Sequence, residues 1–377
     1  MGSKNKKRKL MFLCAGAGNN KLPEVDVEGL LISVGFDMKS ERLIQMTREM
    51  IGKAKPKYVM VDSGGYQIYL AEKKGIAMSF DPKLPLTVTN KFLNISPRHV
   101  VEKAIEINAD SMVALDFPIR KIKDPHEQER EFQKKLHYNV PWAIETAELR
   151  EKRCPEVNLY IPVQAYTLEQ FEEFYEQIKG IDFDGFSLPV RNLPMKEVAL
   201  FMLKMHTMGV KKVHILGSSS LPTIAICAYM SQRFFETVTF DATSWRIAAQ
   251  FGTFIWPGDL SCRRLYEVGS YDPNFRCHCQ SCQGMTLGQM ADLDKIERTR
   301  ILRTHNFLTI QNVTETFGEA SFDVQYLENH LRKSKRRDVK KILSNMTEIE
   351  EMCSMSSPRN IRTRNYHDNS RQSNIFI

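Results

Sequence analysis

The sequence has no run of about 18 or more apolar residues, so it carries no helix of the kind that crosses a membrane. Its basic start, MGSKNKKRKL, leads into an apolar stretch over residues 10–17 that gives way to Asn19-Asn20. That stretch is too short for the core of a secretion signal and has no small-residue cleavage site, so a cytoplasmic chain is expected. No internal repeat is visible, which leaves no basis for a repeat architecture. Cysteine is sparse, with eight residues in 377. Cys14, Cys154, Cys227, Cys262 and Cys353 are scattered and read as buried or free thiols. What is present is the composition of a folded chain, 42% hydrophobic and 26% charged, with room for one large domain or two ordinary ones. The net charge of +8 is compatible with a nucleic-acid partner without requiring one. The basic excess gathers in residues 4–9 and 332–337. Solvated surface is the default for such runs, and phosphate contact is the functional alternative.

Short apolar runs recur at residues 10–14, 30–35, 58–61, 112–115, 159–163, 185–188, 212–216 and 237–240. Their spacing is too long for hairpins. Most are separated by stretches with helical patterning, among them residues 41–51, 97–107, 168–178 and 195–208. Strands alternating with helices imply parallel strands joined by crossovers, and eight strands fit a closed (β/α)8 (TIM-type) barrel. A doubly wound open sheet is the alternative. The barrel is favoured by where polar residues fall. Asp62, Asp116, Gln164, Gly217 and Asp241 each close one of these runs, and barrel active sites are built at the C-terminal ends of strands. A buried carboxylate is costly unless it is paired or used.

The pattern changes after Asp241. The expected organisation is a barrel over residues 1–250, a metal-binding insertion packed on it over 251–312, a basic helical segment over 313–353, and a polar, disordered tail over 354–377. The insertion contains Cys277-His278-Cys279-Gln280-Ser281-Cys282, followed by a helix around residues 293–311 that carries His305. Three thiolates and one imidazole make a closed tetrahedral Zn²⁺ site, and a closed site is structural. His278 competes for the fourth position, but a ligand flanked by two others fits a tetrahedron badly. His305, at a distance, can close the site.

The residues now assembled resemble the tRNA-guanine transglycosylase family. The resemblance rests on Asp62-Ser63-Gly64-Gly65-Tyr66-Gln67, Ser96-Pro97, Ala114-Leu115-Asp116-Phe117-Pro118, Val163-Gln164, Asp184-Gly185-Phe186, Phe240-Asp241, and the Cys-x-Cys-x-x-Cys segment with His305-Asn306. It covers residues 10–312 in order. It implies a base exchange in which guanine in a polynucleotide is replaced by a 7-deazaguanine. Two departures stand out. Pro189-Val190-Arg191 occupies the place of the family's Gly-Gly-Leu, and Ala242-Thr243-Ser244-Trp245-Arg246 that of its anticodon-reading segment. No RNA-binding domain of the archaeal type is seen after the barrel. These departures lean towards DNA as the polynucleotide, as in the DNA-guanine transglycosylases of 7-deazaguanine DNA modification, with tRNA as the alternative.

By the same resemblance, Asp241 is the nucleophile that attacks the sugar C1′, and Asp62 is the general acid and base. Asp116 and Gln164 read the guanine edge, since a carboxylate accepts from N1–H and the exocyclic amine and an amide suits O6. Ser63, Gln67 and the Val190 N–H add contacts, Gly217 leaves room for the ring, and Tyr66 or Phe117 stacks on it. The target base must leave its stack to reach the barrel mouth. Each residue also has a plainer reading. Asp62 suits a turn cap, Asp116 a helix cap or an arginine partner, and Gln164 a core hydrogen bond. Ser218, Ser219 and Ser220 read as a polar loop despite following strand seven, Asp182 and Asp184 as loop charges, and the aromatic residues of 171–175 as core. Two further functions stay open: a non-catalytic subunit of a transglycosylase complex, and a glycosidase in which water replaces the incoming base. A homodimer or a partner protein is a family expectation.

Overall fold

In the computed structural model, the described residues are 9–16, 22–34, 41–76, 78–79, 86–88, 93–190, 193–267 and 269–355. The N-terminal basic run up to residue 8, Gly35, Arg191 and the tail from residue 356 lie outside them.

Eight parallel strands close into a barrel: β1 (Lys9–Ala15), β2 (Gly29–Ser33), β3 (Tyr58–Asp62), β4 (Ser111–Val113), β5 (Asn158–Pro162), β6 (Gly185–Pro189), β7 (Lys212–Leu216) and β8 (Thr237–Ala242). The last strand pairs with the first, with Leu13 opposite Asp241. All eight expected strands are present, and the open-sheet alternative falls away. Period-two alternation divides each strand between two cores. Phe12 and Cys14 point outward to the helices, whereas Met11, Leu13 and Ala15 join Leu31, Met60, Val113 and Tyr160 in the lumen. On β8 the outward set is Val238, Phe240 and Ala242, so Thr237, Thr239 and Asp241 face inward.

The outer layer is formed by α1 (Glu41–Ala54), α2 (Gly65–Lys73), α3 (Pro97–Glu106), α4 (Pro125–Arg153), α5 (Leu168–Ile178), α6 (Met195–Thr207), α7 (Leu221–Arg233) and α8 (Ser244–Gln250). A short α9 (Leu287–Asp292) precedes the long α10 (Lys295–Glu319). Among the described residues no helix joins β1 to β2, and α10 covers β1, with Phe307 tilted on Phe12 at 5.5 Å. Phe171 and Phe174 are buried, as their spacing implied.

The sequence reading missed several elements. One is the three-stranded antiparallel sheet Met78–Ser79, Leu86–Val88 and Leu93–Ile95 between α2 and α3. Another is the antiparallel pair Thr253–Ile255 and Cys262–Arg264. These strands have two or three residues each, too few for a periodicity to register. The 29-residue α4 was also unnamed; Asp124 caps it, accepting from the Glu127 N–H at 2.8 Å. The basic helical segment expected over residues 313–353 holds the end of α10 and two further helices, α11 (Val324–Leu331) and α12 (Val339–Met355). Asp259 fixes the intervening turn. Ser334 Oγ donates to its carboxylate and an Arg336 N–H to its carbonyl, at 2.7 and 2.8 Å. No helix among the described residues is long and apolar enough to cross a membrane.

Candidate active site

At the end of β3 the chain turns from Asp62 directly into α2. Gly64 makes the turn at φ 84°, and a Cβ there would lie 2.3 Å from the Val34 carbonyl oxygen. Gly65 answers a different demand, because a Cβ there would lie 2.3 Å from Asp116 Oδ1. The first glycine thus lets the β3 end approach the residue after β2, and the second lets it approach Asp116 beyond β4.

Asp116, three residues beyond β4, is 5% exposed. Ser63 Oγ donates to its Oδ1 and Gln164 Nε2 to its Oδ2, each at 2.5 Å. Gln164 Oε1 accepts in turn from the Ile119 N–H at 3.1 Å. The segment after Asp116 is clamped from α4. Asn139 accepts from the Phe117 N–H at 2.6 Å, and buried Lys135 Nζ reaches the Pro118 carbonyl, Glu72 and Glu131. Burial pushes Asp116 up to about 7; the Ser63 bond opposes the rise and the Asp62 charge adds to it. Burial also raises Asp62, and the charge of Asp241 raises it further. Bonds from Ser33 and the Gly64 N–H, with the charge of His214 between them in strength, pull it back.

Asp241 stands near the end of β8 and is 6% exposed. The Gly217 N–H, just past β7, donates to its Oδ1 at 2.8 Å. His214 Nε2, on β7, lies 3.3 Å from the same oxygen. Space is open around Gly217, where a Cβ would meet nothing within 4 Å.

Thus Asp62, Ser63, Asp116 and Gln164 come together in one hydrogen-bonded and charge-coupled group, and Asp241 with Gly217 joins it through the Asp62–Asp241 coupling. Val190 follows β6 and is buried, its carbonyl accepting from the Leu193 N–H at 3.1 Å. Gln67 turns to β2, donating to Ser33 Oγ at 3.3 Å. One expectation is corrected. Phe117 does not stack on a ligand: it is 1% exposed, packed between Tyr138 and Trp142 beneath Lys135. Tyr66, half-exposed at the start of α2, keeps that possibility. Asp184 is an ion-pair partner of Lys212 at 2.9 Å, and Ser220 caps α7 by accepting from the Thr223 N–H. Ser33, Asn139, His214 and Thr239 were missed. The alternation of Thr237, Thr239 and Asp241 with apolar neighbours was the available signal for an inward polar row.

The cysteine segment brings Cys277, Cys279, Cys282 and His305 together, all ligand atoms within 4.8 Å of one another. The three sulfurs lie 3.5, 3.4 and 3.5 Å from His305 Nδ1. A tetrahedral zinc with ordinary Zn–S and Zn–N lengths would set these separations at about 3.5–3.6 Å. His305 Nε2 is 2.9 Å from the Ile255 carbonyl, which fixes the tautomer that turns a bare Nδ1 to the sulfurs. The four residues therefore fit a metal ion, and His278 stands outside the cluster. Asn306 ties this centre to the mouth. Its Nδ2 donates to the Trp245 and Thr253 carbonyls, and its Oδ1 accepts from the Ile255 N–H. Trp245 is four residues beyond Asp241.

Comparison with known proteins agrees with this geometry. The tRNA-guanine(15) transglycosylase of Methanococcus aeolicus is 24% identical over 263 residues, covering 65% of this chain and 38% of the relative. The enzyme of the same description from Methanocaldococcus jannaschii is 25% identical over 264 residues, with the same coverages. That from Methanococcus maripaludis is 23% identical over 262 residues, again at 65% and 38%. The chain thus spans about two fifths of the length of the curated relatives it matches. Residues 39–323 match the family described as queuine tRNA-ribosyltransferase, and the chain belongs to that family.

Proposed function

We propose that the protein is a pentosyltransferase that exchanges guanine in tRNA for a 7-deazaguanine, with Asp241 as nucleophile and Asp62 as general acid and base. The observation that carries this reading is the convergence, at one barrel mouth, of an Asp241 oxygen held by Gly217 and a charge-coupled, raised Asp62. Asp241 attacks the sugar C1′, the C1′–N9 bond breaks, and its electron pair leaves with guanine as that base takes a proton from Asp62. The incoming base gives the proton back to Asp62 and displaces the Asp241 ester. Exchange without net hydrolysis needs such a covalent intermediate, by the logic of two close carboxylates in retaining glycosidases. A raised Asp62 suits the acid role at neutral pH.

In this reading Asp116 and Gln164 recognise guanine. Both now bond to each other and to Ser63 and Ile119, so base binding must replace those partners. Deprotonated Asp116 is the form that accepts from N1–H and the amine. Tyr66 supplies the stacking face, and Val190 N–H, Gln67 and Gly217 line the remaining edge. Cys277, Cys279, Cys282 and His305 would hold a structural zinc, whose chemistry is confined to fixing the fold.

The named relatives move the polynucleotide from DNA to tRNA. Exchange in DNA remains the second reading, supported by Pro189-Val190 and by the Ala242–Trp245 segment. A basic surface fits either. Arg332, Lys333, Lys335, Arg337, Lys340 and Lys341 are exposed, and none forms an ion pair among the described residues. Lys340 and Lys341 stand in the first turn of α12. Asn345 contacts Met195, which opens α6 just after the C-terminal end of β6. The test is incorporation of labelled guanine into a tRNA transcript and into DNA by wild type and Asp241→Ala. Label in tRNA that depends on Asp241 is expected. Label in DNA alone transfers the activity to the second reading, and label in neither removes the function.

A further inference from the structure

His214 is the buried group that this chemistry leaves unused. It sits on β7 facing the lumen, with no exposed surface. Its neighbours come from three strands. Thr239 Oγ1 on β8 is 2.8 Å from Nδ1, and Asp241 Oδ1 on β8 is 3.3 Å from Nε2. The Tyr160 ring on β5 meets the imidazole edge-on, with centroids 6.5 Å apart. Asp62 on β3 lies within its electrostatic reach. Nε2 is buried and forms no full hydrogen bond in this state, although a carboxylate oxygen lies within reach.

We infer that His214 is a positioning residue for Asp241, an inference that rests on the nucleophile assignment above. An imidazole proton on Nε2 avoids setting two acceptors face to face at Asp241 Oδ1, and in that tautomer the Thr239 hydroxyl donates to Nδ1. Gly217 N–H donates to the same Asp241 oxygen. With both restraints on Oδ1, the carboxylate cannot rotate freely, and among the described residues no donor engages Oδ2. Oδ2 is therefore the atom presented to C1′. His214 forms no bond to substrate and gains or loses no proton. Its work is to choose the attacking oxygen and to stabilise the anion before attack.

The test compares wild type, His214→Gln and His214→Leu, with tRNA transcript and labelled guanine as probes. The Gln side chain retains an N–H that can reach Oδ1; Leu does not. His214→Leu is expected to lower kcat by about 10- to 100-fold, the range for losing a hydrogen bond to a charged group. KM for tRNA should be unchanged. The acid limb of the kcat profile should move to higher pH, because the Asp241 anion has lost a donor, and His214→Gln should recover most of both effects. Wild-type kcat and an unmoved acid limb in His214→Leu would overturn the inference, as would equal losses in Leu and Gln that follow a fall in melting temperature. A readout independent of activity is the ¹⁵N spectrum of the imidazole in wild-type protein. A proton on Nε2 and a bare Nδ1 are expected, and the opposite tautomer rejects the positioning role even if no exchange activity is found. Absence of exchange with the expected tautomer would instead indict the proposed function.

Discussion

Two clusters of buried polar side chains lie within a short stretch of chain of each other and solve the same problem in opposite ways. At the cysteine centre, four ligand atoms face one point, and the outer nitrogen of His305 is tied to a backbone carbonyl. All its polar capacity is directed at a metal and at the fold. At the barrel mouth, three carboxylates are gathered, and two of them are raised by burial and by mutual charge. The first arrangement is satisfied and closed. The second holds unfavourable charge in readiness, which is the usual signature of a site that acts on something else. Asn306 joins them, one residue from a metal ligand and bonded to the segment that follows Asp241.

Breaking the mouth should affect chemistry far more than folding. Asp241→Ala is expected to reduce guanine exchange by about 10⁴-fold or more, with circular dichroism and melting temperature unchanged or slightly improved by removal of a buried charge. Breaking the cysteine centre should do the reverse. Cys282→Ser or strong chelation should cost stability on the order of several kcal/mol. Elemental analysis of wild type should give about one zinc per chain. Activity should fall only as far as the unfolded fraction rises and the α8 brace loosens.

Asp116 sharpens the contrast through pH. Its carboxyl titrates near 7 in the folded chain against 3.8 in the unfolded one. Between these values the folded state binds more protons, so stability must fall as pH rises from about 4 to 7. Asp116→Asn should flatten that part of the stability curve, followed by denaturation at stepped pH. Guanine affinity should move the other way, increasing as pH rises through 7 and Asp116 ionises. A pH-independent affinity would remove Asp116 from base recognition. The smallest effect is expected at the rim. Lys340→Glu with Lys341→Glu should raise KM for tRNA a few-fold and reduce the salt dependence of binding, leaving kcat unchanged.

The barrel was legible because eight apolar runs recurred at crossover spacing and five of them ended in a carboxylate, an amide or a glycine, and that feature located the mouth directly. The metal ligands were legible because Cys-x-Cys-x-x-Cys is local and His305 followed on a helix. Other features were hidden for physical reasons. Asn139 and Lys135 act on the Asp116 strand end across the α4 interface, 22 and 17 residues from their backbone partners at Phe117 and Pro118, a separation no local pattern reports. Phe117 looked available for stacking beside Asp116, but it lies past the end of β4, where its ring packs into the helix layer against Tyr138 and Trp142. His214 sat within an apolar strand, and only the inward register beside Thr239 gives it a partner.

The most direct test of the account is to trap the intermediate. Wild-type protein is mixed with a tRNA transcript, denatured, and the covalent adduct mapped by mass spectrometry. The account requires a ribosyl ester on Asp241, absent in Asp241→Asn and discharged by free guanine. Exchange that proceeds with no adduct, or an adduct on Asp62, would contradict it.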